Sequence, residues 1–428
     1  MPIISPYTHL FKRKDKFYIF NAESRFFCDV SEDLYALLFD RSLGEIEPEN
    51  LETLIEKRVI IKEEERYLYY NKARSFFNKE ANKRSVLGLV IAPTLSCNFA
   101  CPYCFEDKSD PKTMTDEVED KLMDFIKSHD EVKTLNITWY GGEPLIAFAR
   151  IRHIYNRIVS EFPKLKIGNH SLVTNGYLIN DEVIDFFKNT SLKNAQITLD
   201  GTEENHNRTR CLKTGEDTFK IVCDNIIRMA KALPDTKISV RVNVNRKNSQ
   251  DYHTVYNMFR NVKISNISVY PGYIREDASD GCSMCYDSYD GESCYEFKKD
   301  MLARGIKTDL YPGKQSVRGC IINSLNGYII GPEGEIYKCW NDVGHKDRIV
   351  SRIDDTSSGD KVSLFRYLNE VSPFDNAECR ECKVFPICSG GCGSYRYRNL
   401  FENGHFDLCT YYKNRGILED ALIVSNNQ

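Results

Sequence analysis

The 428-residue sequence predicts an α/β protein whose centre is a partial or complete barrel of parallel strands, with a smaller domain on each side. Strand-like and helix-like segments alternate from Leu87 to Tyr270, the pattern of repeated strand–helix units. The chain is too long for one ordinary core, so two or three domains are expected. Cysteines gather directly after the first strand of the alternating region and again near the C-terminus.

The elements follow in order. Lys16 to Phe20 and Arg25 to Val30 read as a hairpin around Asn21-Ala-Glu. Ser31 caps a helix whose Leu34, Leu37 and Leu38 face one way; Leu51-Glu-Thr-Leu54-Ile55 begins a second helix, and Val59-Ile-Ile reads as a strand. Residues 1–80 are expected to form a winged-helix-like domain from this order. Leu87 to Ile91 is the apolar strand feeding the first cysteines, and Val118, Leu122, Phe125 and Ile126 recur at helical spacing after the cap Thr115. Leu135, Ile137 and Trp139 alternate as a strand, followed by strands at Ser171 to Thr174, Gln196 to Leu199, Ile238 to Val244 and Ile267 to Tyr270. Between them a helix carries Phe219, Val222, Cys223, Ile226, Ala230 and Leu233 on one face, where Cys223 is a core residue. In barrels of this kind chemistry gathers at the carboxyl ends of the strands. Gly141-Gly142-Glu143, Thr174-Asn175, Asp200-Gly201 and Asn243 all fall at such ends.

Composition narrows the function classes. A net charge of −4, from 58 basic and 62 acidic residues, gives no broad positive footprint, so no nucleic-acid partner is expected. The N-terminal residues lack a basic start and a long apolar stretch, and no membrane-length apolar run occurs later, so a cytoplasmic protein with no membrane partner is expected. In a reducing compartment 16 cysteines read more readily as metal ligands than as disulfides.

The sharpest motif is Cys97-Asn-Phe-Ala-Cys101-Pro-Tyr103-Cys104. Three thiolates at this spacing can hold three irons of a four-iron, four-sulfur cluster and leave the fourth iron open to a ligand. The spacing, with the aromatic Tyr103 before the last cysteine, resembles the radical SAM enzymes, in which the open iron chelates S-adenosylmethionine. A second pattern strengthens the resemblance: Cys320, Gly334 and Cys339, then Cys379-x2-Cys382-x5-Cys388-x3-Cys392, then Cys409. It resembles the SPASM extension of radical SAM peptide maturases. A zinc ribbon accounts for Cys379, Cys382 and two partners, but leaves the Cys97 loop unexplained.

The resemblance implies a partial (β/α)6 TIM-like radical SAM barrel over residues 85–305 and a SPASM domain over residues 306–428. It implies S-adenosylmethionine and three [4Fe-4S] clusters. Cys97, Cys101 and Cys104 would ligate the first; Cys379, Cys382, Cys388 and Cys409 the distal auxiliary cluster; Cys320, Cys339 and Cys392 the nearer one. That last set is one ligand short. Cys282, Cys285 and Cys294 are further candidates, equally readable as unligated thiols, and Cys28 and Cys211 fit no spacing. By the same resemblance Gly141, Gly142 and Glu143 face the amino group of S-adenosylmethionine, with Tyr103, Thr174, Asn175 and Asn243 around the cofactor. Asp200-Gly201 with His206 and Arg210 is familiar from peptide-modifying members, and reads equally as a structured loop.

The implied activity is hydrogen abstraction from a ribosomally made precursor peptide by a 5′-deoxyadenosyl radical, with a cysteine thioether as the first expected product. No side chain is assigned as catalytic. The implied partners are a precursor peptide, its leader bound by residues 1–80 through strand addition, and a low-potential donor such as flavodoxin or ferredoxin. Carbon–carbon or ether crosslinking stands second. Formylglycine formation in a sulfatase stands third: sulfatase maturases carry an aspartate directly after the cysteine matching Cys339, whereas Trp340 follows here and Asp342 is shifted. Outside catalysis the alternative is an iron-sulfur electron carrier or a zinc-stabilised module.

Overall fold

The computed structural model describes residues 1–104, 106, 111–274, 290–315, 317, 319–357 and 359–426. Two compact units form: residues 1–82, 298–324 and 366–428 make one, and residues 83–297 and 325–365 the other. The chain therefore divides differently from three consecutive segments at 1–80, 85–305 and 306–428. Residues 325–365 complete the barrel sheet, while the cysteine-rich C-terminus belongs with the N-terminal elements.

In the first unit, β1 (Pro2–Ile4) pairs antiparallel with β5 (Ile60–Lys62), and β2 (Thr8–Arg13), β3 (Lys16–Asn21) and β4 (Phe26–Val30) form a three-stranded meander. The expected hairpin is β3–β4; β1 and β2 went unread because β1 has only three residues and β2, Thr-His-Leu-Phe-Lys-Arg, does not alternate apolar with polar. Ser31 caps the helix Glu32–Phe39 by accepting from Leu34 N at 3.2 Å, as its position suggested. Ile19, Leu38, Leu54, Val59 and Ile60 form the buried core of these elements, and Cys28 packs against it. Cys28 is thus a core thiol, which burial pushes up to about 11.

The second unit is a nine-stranded sheet in the order β11-β10-β9-β8-β7-β6-β12-β13-β14. Its parallel core is β6 (Val86–Ile91), β7 (Thr134–Trp139), β8 (Lys166–Thr174), β9 (Asn194–Leu199), β10 (Lys237–Val244) and β11 (Ile267–Tyr273). These strands coincide with the alternating segments of the sequence. Helices cover them as expected: Thr115 caps Asp116–Lys127, and Phe219–Ala232 buries Val222, Cys223, Ile226 and Met229. Each crossover returns the chain parallel to the previous strand, so β6 to β10 each end on the same rim of the sheet.

The sequence did not reveal the other edge. β12 (Gly327–Ile330) lies parallel to β6, and β13 (Glu335–Tyr337) and β14 (Ser351–Arg352) continue antiparallel from it. Gly88 N donates to Asn326 O at 2.8 Å and Ala92 N to Ile330 O at 2.8 Å, closing the β6 edge with chain from more than two hundred residues away. The gain is Ile329 and Ile330, both fully buried, and an edge strand that is no longer open. Among the described residues no helix is long and apolar enough to cross a membrane.

Candidate functional site

The site is built on the carboxyl ends of β6 to β10. Leaving β6, the chain enters the loop of Cys97, Cys101 and Cys104, and the turn after β7 packs directly on it. Gly142 N donates to Thr94 O at 3.2 Å and Glu143 N to Ser96 O at 2.8 Å. The approach is so close that a Cβ on Gly142 would stand 2.5 Å from both Leu95 O and Ser96 O. Gly141 has φ +114°, and its added Cβ would meet Thr94 O at 2.4 Å. The glycines serve the backbone of the cysteine loop itself, a role the sequence pattern alone does not distinguish from approach to a ligand.

Glu143 is fully buried. One carboxylate oxygen accepts from Leu145 N at 3.0 Å and Thr174 Oγ1 at 2.7 Å, and the other accepts from Asn175 N at 2.8 Å. It therefore ties the β7 turn to the end of β8. Burial pushes its pKa up to about 6, against the opposing pull of these donors. A carboxyl raised in the folded state stabilises the protein below its unfolded pKa, and that stabilisation is lost as pH rises through the folded value. Unfolding free energy measured against pH is expected to fall by about 2 kcal/mol more in the wild type than in Glu143→Gln as pH rises through roughly 4.5 to 6.

Asn175 reaches the cysteine loop. Its Nδ2 donates to Asn98 Oδ1 at 2.7 Å and lies 4.0 Å from Cys97 Sγ, while its Oδ1 accepts from Tyr177 N at 3.0 Å. Thr174 is spent on Glu143 and on Gly176 N, 3.0 Å away. From the other side, Ala100 N donates to Cys211 O at 3.1 Å and Lys213 N to Asn98 O at 2.9 Å. The loop after β9 thus pairs with the cysteine loop, and Cys211, which fits no spacing in the sequence, lies beside it through the fold.

Tyr103 points to the ends of β9 and β10. Its hydroxyl donates to Asp200 Oδ2 in a short hydrogen bond, accepts from Arg210 Nη1 at 2.9 Å and lies 3.4 Å from Asn243 Nδ2. Asp200 also accepts from Thr209 Oγ1 at 2.7 Å and from Asn243 Nδ2 at 3.2 Å. The Arg210 guanidinium stands over the Phe99 ring, 5.5 Å from its centre. Burial works against the Arg210 charge, but Tyr103, Cys101 and Asp200 hold it well in place. His206 is buried between Asp200 N and Thr218 Oγ1, and burial lowers it to about 3, so it is neutral and structural. Asp200 and Arg210 are thereby attached to the cysteine loop through Tyr103, and His206 to the same segment through Thr218.

Tyr140, just before the glycines, is buried against Trp340, ring centres 4.9 Å apart and perpendicular. Burial comes first in raising its hydroxyl, with Glu106, Cys104 and Cys339 adding negative charge around it. Asp342 is buried.

The first unit holds Cys320, Cys379, Cys382, Cys388, Cys392 and Cys409. Burial raises the Cys379 and Cys382 thiols; Cys388 and Cys382 add to it at Cys379, and Cys388 and Cys409 at Cys382. Arg396 Nη2 lies 3.9 Å from Cys379 Sγ, and Lys413 Nζ 3.3 Å from Cys409 Sγ. Cys320 and Cys392 are exposed in this unit, while Cys339 belongs to the second. Cys294 is buried in the helix Gly291–Ala303, and Cys282 and Cys285 lie outside the described residues.

The donor set fits iron-sulfur clusters and a polar ligand. Among the described residues no three His, Cys, Asp or Glu converge on one point for a single ion; thiolates that each bind a different iron do not need to. Two buried donors at the cysteine loop, Arg210 Nε and Asn98 Nδ2, have no acceptor among the described residues. Such atoms are costly unless a bound group supplies the acceptor.

Residues 91–259 match the model of the radical SAM superfamily. The chain is 23% identical over 371 residues to the cysteine-type anaerobic sulfatase-maturating enzyme of Clostridium perfringens (strain 13 / Type A), covering 76% of this chain and 94% of that one. It is 26% identical over 182 residues to the serine-type anaerobic sulfatase-maturating enzyme of Bacteroides thetaiotaomicron, covering 41% and 43%. Among solved structures, native anSMEcpe with bound AdoMet superposes with a TM-score of 0.60 at 21% identity, over 80% of this chain and all of that one. Streptococcus suis SuiB bound to precursor peptide SuiA superposes with a TM-score of 0.51 at 14% identity, over 96% and 100%. At these identities the structural likeness speaks for the fold.

Proposed function

We propose that this chain, a radical SAM enzyme, is a peptide maturase that removes a hydrogen atom from a ribosomally made precursor peptide and closes a crosslink, a cysteine thioether first. One observation carries the reading: a cysteine loop pinned at the barrel rim by four successive strand ends.

Cys97, Cys101 and Cys104 would hold the cluster, and Gly141, Gly142 and Glu143, with Tyr103, Thr174, Asn175 and Asn243, would frame S-adenosylmethionine. Bound there, the cluster and S-adenosylmethionine would supply the chemistry for removing a hydrogen atom from the peptide, and auxiliary clusters would supply an acceptor for the electron released on bond closure. The residues of the rim act by position. Glu143, Asn175 and Tyr103 hold the loop, and Tyr140, next to the Gly141-Gly142 turn, packs edge-on against Trp340. Three [4Fe-4S] clusters are proposed, the nearer auxiliary one on Cys320, Cys339 and Cys392.

Residues 1–80 would bind the leader: β2 and β4 are the outer strands of the meander, and an outer strand can accept an added one. Sulfatase maturation is the second reading, favoured by the relatives' names; against it, Trp340 stands where those enzymes carry an aspartate.

Anaerobic reconstitution is expected to give about twelve irons per chain, with deoxyadenosine released under reductant. A precursor peptide encoded beside the gene is expected to lose one pair of hydrogens per crosslink, its cysteine no longer alkylatable. Peptide cysteines that all remain alkylatable would remove the thioether, and formylglycine in a sulfatase peptide would replace it.

A further inference from the structure

The loop between Cys97 and Cys104 is held by a buried pair of opposite charges. Arg210 sits between Phe99 and Tyr103, the residues two before and two after Cys101, with its guanidinium over one ring and bonded to the hydroxyl of the other. Asp200 takes the proton side of the same hydroxyl, and its nearer oxygen stands 3.9 Å from Arg210 Nη1. Both side chains are more than nine-tenths buried, so solvent screens neither charge well.

We infer that Asp200, Tyr103 and Arg210 form a charge-balanced lock in which Tyr103 is the hinge pin, Arg210 supplies a fixed positive charge beside Cys101, and the pair sets the electrostatic potential at the metal site. The inference rests on the radical SAM reading but goes beyond it, because it assigns these three side chains to positioning and tuning rather than to chemistry. A cation close to the cysteine loop favours the state with one more electron, and a carboxylate opposes it. A lock that acted only by shape would move the potential the same way whichever partner was lost.

The test is the midpoint potential of the first cluster, read from the electron paramagnetic resonance signal of reduced, anaerobically reconstituted full-length protein. Arg210→Met is expected to lower the midpoint, Asp200→Asn to raise it, and Arg210→Lys to stay close to wild type. Shifts of the same sign in Arg210→Met and Asp200→Asn, or no shift in either, overturn the inference. If Arg210→Met takes up no iron, Asp200→Asn decides alone: a lowered or unchanged midpoint overturns it. Wild-type protein that binds no cluster at Cys97, Cys101 and Cys104 would instead sink the radical SAM reading, so the two failures are distinct.

Discussion

Cys101→Ala is expected to abolish deoxyadenosine production and to lower iron by about four atoms per chain. The loop offers three thiols, and the remaining two cannot keep a four-iron cluster whose fourth corner must stay open. The loss is expected to be chemical rather than structural. Cys101 is only partly buried, and its neighbours stay fastened by Ala100 N to Cys211 O and by Tyr103 to Asp200 and Arg210. Circular dichroism and thermal unfolding of the apoprotein should match wild type. Cys223→Ala serves as the control. Its thiol lies in the helix Phe219–Ala232, buried and pushed up to about 12 by that burial, and its removal should leave the iron count unchanged. Wild-type iron and deoxyadenosine in Cys101→Ala would refute the assignment.

Gly142→Ala is expected to cost about 1–3 kcal/mol in stability and to weaken cluster retention roughly 10–100-fold. The added methyl would stand 2.5 Å from Leu95 O and Ser96 O, which are backbone and cannot swing aside. Ser96 O is also the acceptor of Glu143 N, so the strain passes directly to the residue that ties β7 to β8. Both effects should appear together, in unfolding and in iron release to a chelator. Gly44→Ala, where an added methyl meets nothing within 4 Å, should change neither. A Gly142→Ala protein of wild-type stability and iron content would mean that the turn is not held against the cysteine loop as described.

Much of the barrel was legible because each strand is a short apolar run ending in a polar turn, and each covering helix repeats its apolar residues at 3.6 spacing. Trp139 and Leu199 are examples: each is fully buried at the end of a strand that alternation alone located. The Cys97 loop was legible because cluster ligation constrains spacing along the chain. What each polar residue does was less so. Asn175 is bonded to Asn98, and the Glu143 oxygens accept from three protein donors, contacts that no spacing in the sequence reveals. A strand-end amide or carboxylate looks the same in sequence whether it meets a ligand or a neighbouring loop.

Local information thus determined the parallel strands, the capped helices, the three-cysteine loop and the resemblance to the radical SAM enzymes, since all of these depend on residues close together in the chain. Only tertiary structure decided that residues 327–330 close the β6 edge, that Cys211 and Arg210 brace the cysteine loop, and that Tyr103 joins Asp200 to Arg210. Those pairings bridge about a hundred residues or more, or lie between loops without periodicity. They are selected by burying charge and backbone donors together, a condition that exists only once the sheet has brought its strand ends onto one rim.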